Sequence, residues 1–225
     1  MISRRQGFGN VLAEGVKRAA ETVGGSAAAC AIYTGKGASP RGHDHRARWE
    51  EMLDTITSRT GTLQTGPPVH SAEFGMPARI NPFDPGAVAK NVGGHLGRRH
   101  FEDSLGACIF TTRSLPATLC RALSAATGWE FTKAEALRQG RRTAALFRAF
   151  DLRCGIGPDL EWPSARYGSI PVDGPAKGRA VQPNWERMVD VWYETVGYDR
   201  KTGRPQPDTL RTLGLEFLIP SLWGV

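Results

Sequence analysis

Asp103-Ser-Leu-Gly-Ala-Cys-Ile-Phe110 places a carboxylate and a thiol in one octapeptide with a glycine between them. A carboxylate accepts paired N–H bonds from a planar amidine-like edge, such as guanine or a pterin presents. Glycine removes the side chain where a large ligand must approach the backbone. A thiolate is a soft donor suited to iron–sulfur clusters. The same residues have plainer uses. A buried cysteine packs as a small hydrophobe, Asp103 can be a solvated acid, and Gly106 can end a helix. On the octapeptide alone both readings stand.

Other reactive side chains are less directive. His43 and His45 flank Asp44, which reads first as a cap or turn residue before a helix and only second as one of a set of metal ligands. Cysteines 30, 108, 120 and 154 contain no Cys-x-x-Cys pair and no Cys/His spacing of the zinc-module type. Cys120 falls on an apolar helical face beside Leu119 and Leu123 and is expected in the core. Cys154, after Arg153 at a helix end, is expected to be structural. His70, His95 and His100 lack partner spacing and read as surface or packing residues. Gly35 and Gly37 around Lys36 have neither the preceding strand nor the spacing of a phosphate loop.

The elements that must carry these residues are helical. Apolar residues recur at threes and fours from Asn10, a candidate N-cap, to Val23, with Gly24-Gly25 as the stop. A short Ala-rich turn over Ala27–Ile32 and a Gly/Pro-rich loop follow. A second helix is expected over about Arg46–Arg59, burying Trp49, Met52, Leu53 and Ile56. Gly61 to Phe83 reads as a long irregular segment, expected to be mobile. Pro85 opens a helix reaching about Leu105, and Leu115–Ala126 forms the next. Thr132-x-x-Glu135 is a capping box that starts a helix from Lys133 to about Leu152. A Pro/Gly-rich arm separates it from helices at Trp185–Val196 and Pro207–Leu213. The expected fold is mainly α, with long irregular loops.

Composition excludes several classes. Hydrophobic residues make up 40% and charged residues 23% of the 225, which is globular rather than disordered. No apolar run approaches the roughly 20 residues of a membrane span. The net charge of +7 is carried mostly by scattered arginines without interleaved aromatics, so no nucleic-acid surface is expected. Ser3-Arg4-Arg5 suggests a twin-arginine export signal, but no apolar segment follows, and a cytoplasmic protein with reduced thiols is expected.

An ordered series of short stretches goes further. Gly7-Phe-Gly-Asn-Val-Leu-Ala-Glu-Gly-Val-Lys17, Lys36-Gly37, His43-Asp-His-Arg46 and Thr57-Ser58 precede Asp103-Ser-Leu-Gly-Ala-Cys108. Gly128-Trp-Glu-Phe-Thr132, Arg148-Ala-Phe-Asp-Leu-Arg153, Asp173-Gly-Pro-Ala-Lys-Gly178, Tyr193 through Gly203 and Leu213-Gly-Leu215 follow it. In this order the chain resembles the C-terminal part of the aldehyde ferredoxin oxidoreductase family of tungsten enzymes. The resemblance implies a tungsten (or molybdenum) bis-pterin beside a 4Fe-4S cluster, with electrons passed between an aldehyde or related oxo substrate and ferredoxin or another carrier. It implies Cys108 as the fourth cluster ligand, Asp103 as a pterin-binding carboxylate, and Ile109 where the backbone touches that pterin. It implies helical domains that close over the cofactor, with residues 1–45 ending the middle domain and 46–225 forming the C-terminal one.

Departures shape the expectation. The family's upstream Cys-x-x-Cys-x-x-x-Cys group, its N-terminal β domain and its first pterin-binding Asp motif have no counterpart here. The chain is therefore expected to need a missing N-terminal portion or companion subunit, as a truncated gene product or one piece of a split enzyme. Gln64 stands where many aldehyde-oxidising members carry a histidine, and an amide lacks a tunable proton. Trp49-Glu-Glu-Met-Leu-Asp-Thr-Ile-Thr57 is similar to the subgroup with the tungsten subunit of class II benzoyl-CoA reductase. The rival expectation is a non-catalytic helical interaction module or a degraded gene fragment.

Overall fold

The structure is a computed structural model that describes residues 1–40, 42–57, 79–108 and 116–224. As expected it is mainly α: α1 (Gly9–Leu12), α2 (Gly15–Val23), α3 (Ser26–Cys30), α4 (Trp49–Thr57), α5 (Pro85–Gly94) and α6 (Leu96–Ser104) lead the chain. α7 (Pro116–Thr127), α8 (Lys133–Arg153), α9 (Trp185–Val196), α10 (Pro207–Thr212) and α11 (Ile219–Trp223) complete it. Extended pairing among the described residues is confined to two isolated antiparallel bridges, Thr34 with Pro163 and Tyr198 with Pro205.

The main core forms where three amphipathic stripes meet. Trp49, Met52, Leu53 and Ile56 of α4 and Val88, Ala89 and Val92 of α5 pack with Trp185, Met188, Val189, Trp192 and Val196 of α9. Met52, Leu53 and Ile56 are completely buried, and burying such a side chain contributes about 1.5–3 kcal/mol. α8 ties this core to two others. Its Ala144 joins the main cluster, Ala145 and Ala149 face Leu210, Leu213, Leu215, Ile219 and Leu222, and Ala136 meets Phe101 and Cys120.

The capping box at the start of α8 is half formed. The Thr132 hydroxyl accepts from the Glu135 N–H at 3.1 Å, but the Glu135 carboxylate turns to Arg138 and Gln139 instead of reaching back. Asp84 caps α5, with Pro85 in its first turn, as the sequence implied.

Two expected helices are divided. The periodic segment from Asn10 to Val23 breaks before Gly15, whose φ of +88° no continuous right-handed helix admits, and Asn10 lies inside α1 rather than capping it. The helix from Pro85 breaks at His95, where the His95 Nδ1 lies 2.8 Å from the Asn91 carbonyl oxygen. α3 and α11 were not foreseen as helices. The segment Gly61–Phe83 lies outside the described residues up to position 78.

α6 and α8 cross at unusually close range. A Cβ on Gly140 would stand 1.6 Å from the Gly97 carbonyl oxygen, and one on Gly97 would stand 2.3 Å from that of Leu137. Only paired glycines let two helix backbones touch this way. This crossing lies in the first turn of α6 and sets that helix against α8; the candidate site lies at the helix's other end.

Candidate functional site at the end of the sixth helix

Asp103 sits in the last turn of α6, and the chain leaves the helix through Gly106, whose φ is +66°. The Gly106 N–H donates to the Asp103 carbonyl oxygen at 3.0 Å and the Ala107 N–H to that of Glu102 at 3.3 Å, a glycine-closed helix end. Gly106 is thus required by the backbone, and a Cβ there would meet nothing within 4 Å, so the space over it is open. Of the uses of this glycine read from the sequence, the helix-ending one is the one seen here.

Beyond the turn, Cys108 is exposed, and so is Asp103. Asp103, Ser104, Gly106 and Ala107 line an open cleft of 490 Å³ whose far wall is Thr143 and Phe147 of α8. Beneath it α6 is anchored by Arg98 and Glu102, buried and 3.6 Å apart. Within the cleft Phe147 stacks obliquely on His100 at 5.9 Å, and the nearby chain positions Leu105, Leu146 and Phe150 are 39%, 42% and 63% exposed. Ile109 and Gln64 lie outside the described residues.

The other cysteines separate as their surroundings dictate. Cys120 is buried with Phe101 and Ala136, and burial pushes its thiol up, which disfavours the reactive thiolate. Cys154 caps α8 and is exposed, and Cys30 is exposed at the end of α3. His95 and His100 are packing residues, both buried; His70 lies outside the described residues.

Asp44 caps a 3-10 turn, accepting from the Arg46 N–H at 3.0 Å. The hydrogen bond from the Arg46 guanidinium holds its carboxyl below the usual range. His43 and His45 do not gather around Asp44. They converge instead on Glu51 of α4, a partner the sequence reading missed because the three are brought together only when α4 folds back on the preceding turn. The Gly35–Gly37 loop is held within the chain: the Gly35 N–H donates to the Trp162 carbonyl oxygen at 2.8 Å and Lys36 pairs with Glu161 at 4.0 Å.

Similarity to known proteins bears on the first site. Residues 1–215 match the family model described as aldehyde ferredoxin oxidoreductase, domains 2 & 3. A tungsten-containing aldehyde ferredoxin oxidoreductase of Pyrococcus abyssi is 30% identical over 223 residues, covering 97% of this chain and 36% of the relative. One from Pyrococcus horikoshii is 31% identical over 220 residues, covering 96% and 35%. An aliphatic sulfonate oxidoreductase, WOR-like subunit, of Pyrococcus furiosus is 29% identical, covering 96% and 33%. The chain thus spans about a third of the length of the curated relatives it matches. With its first 215 residues matched in one run, the chain belongs to the aldehyde ferredoxin oxidoreductase family.

Proposed function

We propose that this chain is the cofactor-enclosing C-terminal portion of a tungsten (or molybdenum) bis-pterin, iron–sulfur oxidoreductase. It acts on aldehyde, oxo or related substrates with ferredoxin or a similar carrier. It is completed by polypeptide equivalent to the rest of its relatives' length, in the same protein or a companion subunit, and is inactive without it. The observation that carries this reading is the end of α6. There an exposed acid and a left-handed glycine line an open cleft, and an exposed thiol follows two residues beyond the glycine.

The donor set fits the cofactors in part. A 4Fe-4S cluster takes four thiolates, and among the described residues no group of three or more ligating side chains includes Cys108. This chain would then supply one ligand and the completing polypeptide three. When bound, the metal–pterin centre supplies exchange of electrons with the substrate, and the cluster passes them on singly.

The chain's own contributions are positional. Cys108 offers its thiolate; Asp103 accepts the paired N–H groups of a pterin edge; Gly106 sets the spacing between them. Ile109 adds a backbone contact to that pterin. Phe147 gives the cleft one apolar wall. Gln64, an amide, moves no proton, and with the Trp49–Thr57 stretch this supports the branch that holds the tungsten subunit of class II benzoyl-CoA reductase. The change of role near residue 45, from middle to last domain, belongs to the same reading.

Co-expression with a family polypeptide carrying the three-cysteine group tests it. A brown complex is expected whose iron content falls sharply in Cys108→Ser and whose pterin content falls in Asp103→Ala. Unchanged iron in Cys108→Ser would overturn the ligand assignment and leave the non-catalytic helical module as the better account.

A further inference from the structure

A second cluster, unrelated to the α6 site, carries its own chemistry. His45 is 1% exposed, and its Nε2 is a buried nitrogen without a hydrogen-bond partner. That nitrogen stands 3.3 Å from the Glu51 Oε2, and the His43 Nδ1 stands 3.4 Å from the same oxygen. The three ligating atoms lie within 4.8 Å of one another.

These separations are informative. Two donors each about 2.0–2.1 Å from a tetrahedral zinc ion stand about 3.3–3.4 Å apart, whereas cis donors on an octahedral ion of similar radius stand about 3.0 Å apart. The two separations from the shared Glu51 oxygen are long for hydrogen bonds and match two edges of a tetrahedral site, while the two histidine nitrogens lie within 4.8 Å of each other.

The surroundings prepare the ligands. The His45 Nδ1 is 2.6 Å from the Tyr167 hydroxyl, and in the tautomer that donates Nδ1–H to that oxygen the Nε2 lone pair faces Glu51. A lone pair aimed at a carboxylate oxygen is repelled unless a cation or a proton lies between them. Orientation of a histidine through its other nitrogen is the usual support of a ligating imidazole. The Arg48 guanidinium donates to the other Glu51 oxygen at 2.6 Å and fixes the carboxylate. Arg46 is neutralised by Asp44 at 2.7 Å, so the adjacent positive charge is offset. His43, His45 and Tyr167 line a cleft of 620 Å³ that also includes Cys30 and Arg166 and gives an ion a route to the two imidazoles.

We propose that His43, His45 and Glu51 form a binding site for one divalent transition-metal ion, zinc by the chemistry of two imidazoles and a carboxylate, with a fourth position open to the cleft. An open position on two imidazoles and a carboxylate suits a bound water or a small anionic ligand. Glu51 then does for the metal what Asp44, the acid nearest the histidines in sequence, cannot.

Titration calorimetry of the chelator-stripped 225-residue chain with zinc chloride tests the site, with cobalt(II) absorption as the report on geometry. One equivalent of zinc and the intense visible bands of four-coordinate cobalt are expected. His43→Gln, which alters an exposed side chain, and His45→Gln should each weaken zinc binding at least tenfold. Tyr167→Phe should weaken it about ten- to a hundredfold through loss of orientation alone. Cys108→Ser should retain the equivalent, which keeps this result independent of the cluster ligand. Zinc binding untouched by both histidine substitutions, its loss in Cys108→Ser, or weak octahedral cobalt bands would each overturn the proposal.

Discussion

Arg148 shows how one side chain holds distant segments together. It is completely buried in α8, donating through Nη1 to Glu161 at 2.6 Å, through Nε to the Gly203 carbonyl oxygen at 2.9 Å, and through Nη2 to the Tyr193 hydroxyl. Tyr193 in turn donates to the second Glu161 oxygen at 2.6 Å. Burial works against the charge on Arg148, but Glu161 outweighs it and the guanidinium stays protonated. Removing one member strands the other charge in the interior, which typically costs about 3–5 kcal/mol. Arg148→Ala is therefore expected to lower unfolding stability by about that much. Arg148→Met with Glu161→Met should recover most of the loss, because a well-packed apolar pair needs no counter-charge. Urea denaturation of Arg148→Met, Glu161→Met and the double variant measures this coupling; strictly additive losses would show that the pair is not coupled.

Between elements, the contact that sets α6 against α8 is a meeting of backbones rather than side chains. A helical Gly→Ala change ordinarily stabilises by about 0.5–1 kcal/mol. At Gly140 the added methyl would stand 1.6 Å from the Gly97 carbonyl oxygen, so α6 and α8 must part. Gly140→Ala is expected to destabilise by about 1–3 kcal/mol, read as a lower midpoint in thermal circular dichroism; a midpoint raised by the substitution would refute the crossing. The same feature marks what a sequence can disclose. The stripes of α4 and α9, Pro85 and Thr132 announce their helices because the signals are local. Nothing local in Gly97 or Gly140 says that they meet, and the breaks at Gly15 and His95 interrupt otherwise regular periodicity. Asp103 and Cys108 were legible as one octapeptide. Glu51 was not legible as the partner of His43 and His45, since only the return of α4 onto the turn before it brings them together.

For the molecule as a whole, large apolar side chains are exposed at several places, and one of these groups lies on α8 beside the α6 cleft. The apolar side chains of the three cores are buried, yet Leu146 and Phe150 of α8 are 42% and 63% exposed, close in the chain to Phe147 of the Asp103 cleft. Exposed apolar side chains grouped beside a cleft are the usual mark of a surface that another polypeptide covers. The chain spans about a third of its relatives' length, so the occupant expected here is the family polypeptide equivalent to the remainder. Leu146→Ser with Phe150→Ser removes that surface without touching Asp103 or Cys108. Because both side chains are largely solvated, stability should change by no more than about 0.5 kcal/mol for each. Recovery of the completing polypeptide in a co-purification should nevertheless fall at least tenfold. The charge of +7 adds a second arm: if association were mainly electrostatic, raising salt would abolish it in the native chain. An apolar interface holds at high salt and fails with the two serines, whereas full recovery of the complex by the double variant would mean that the completing polypeptide docks on another face.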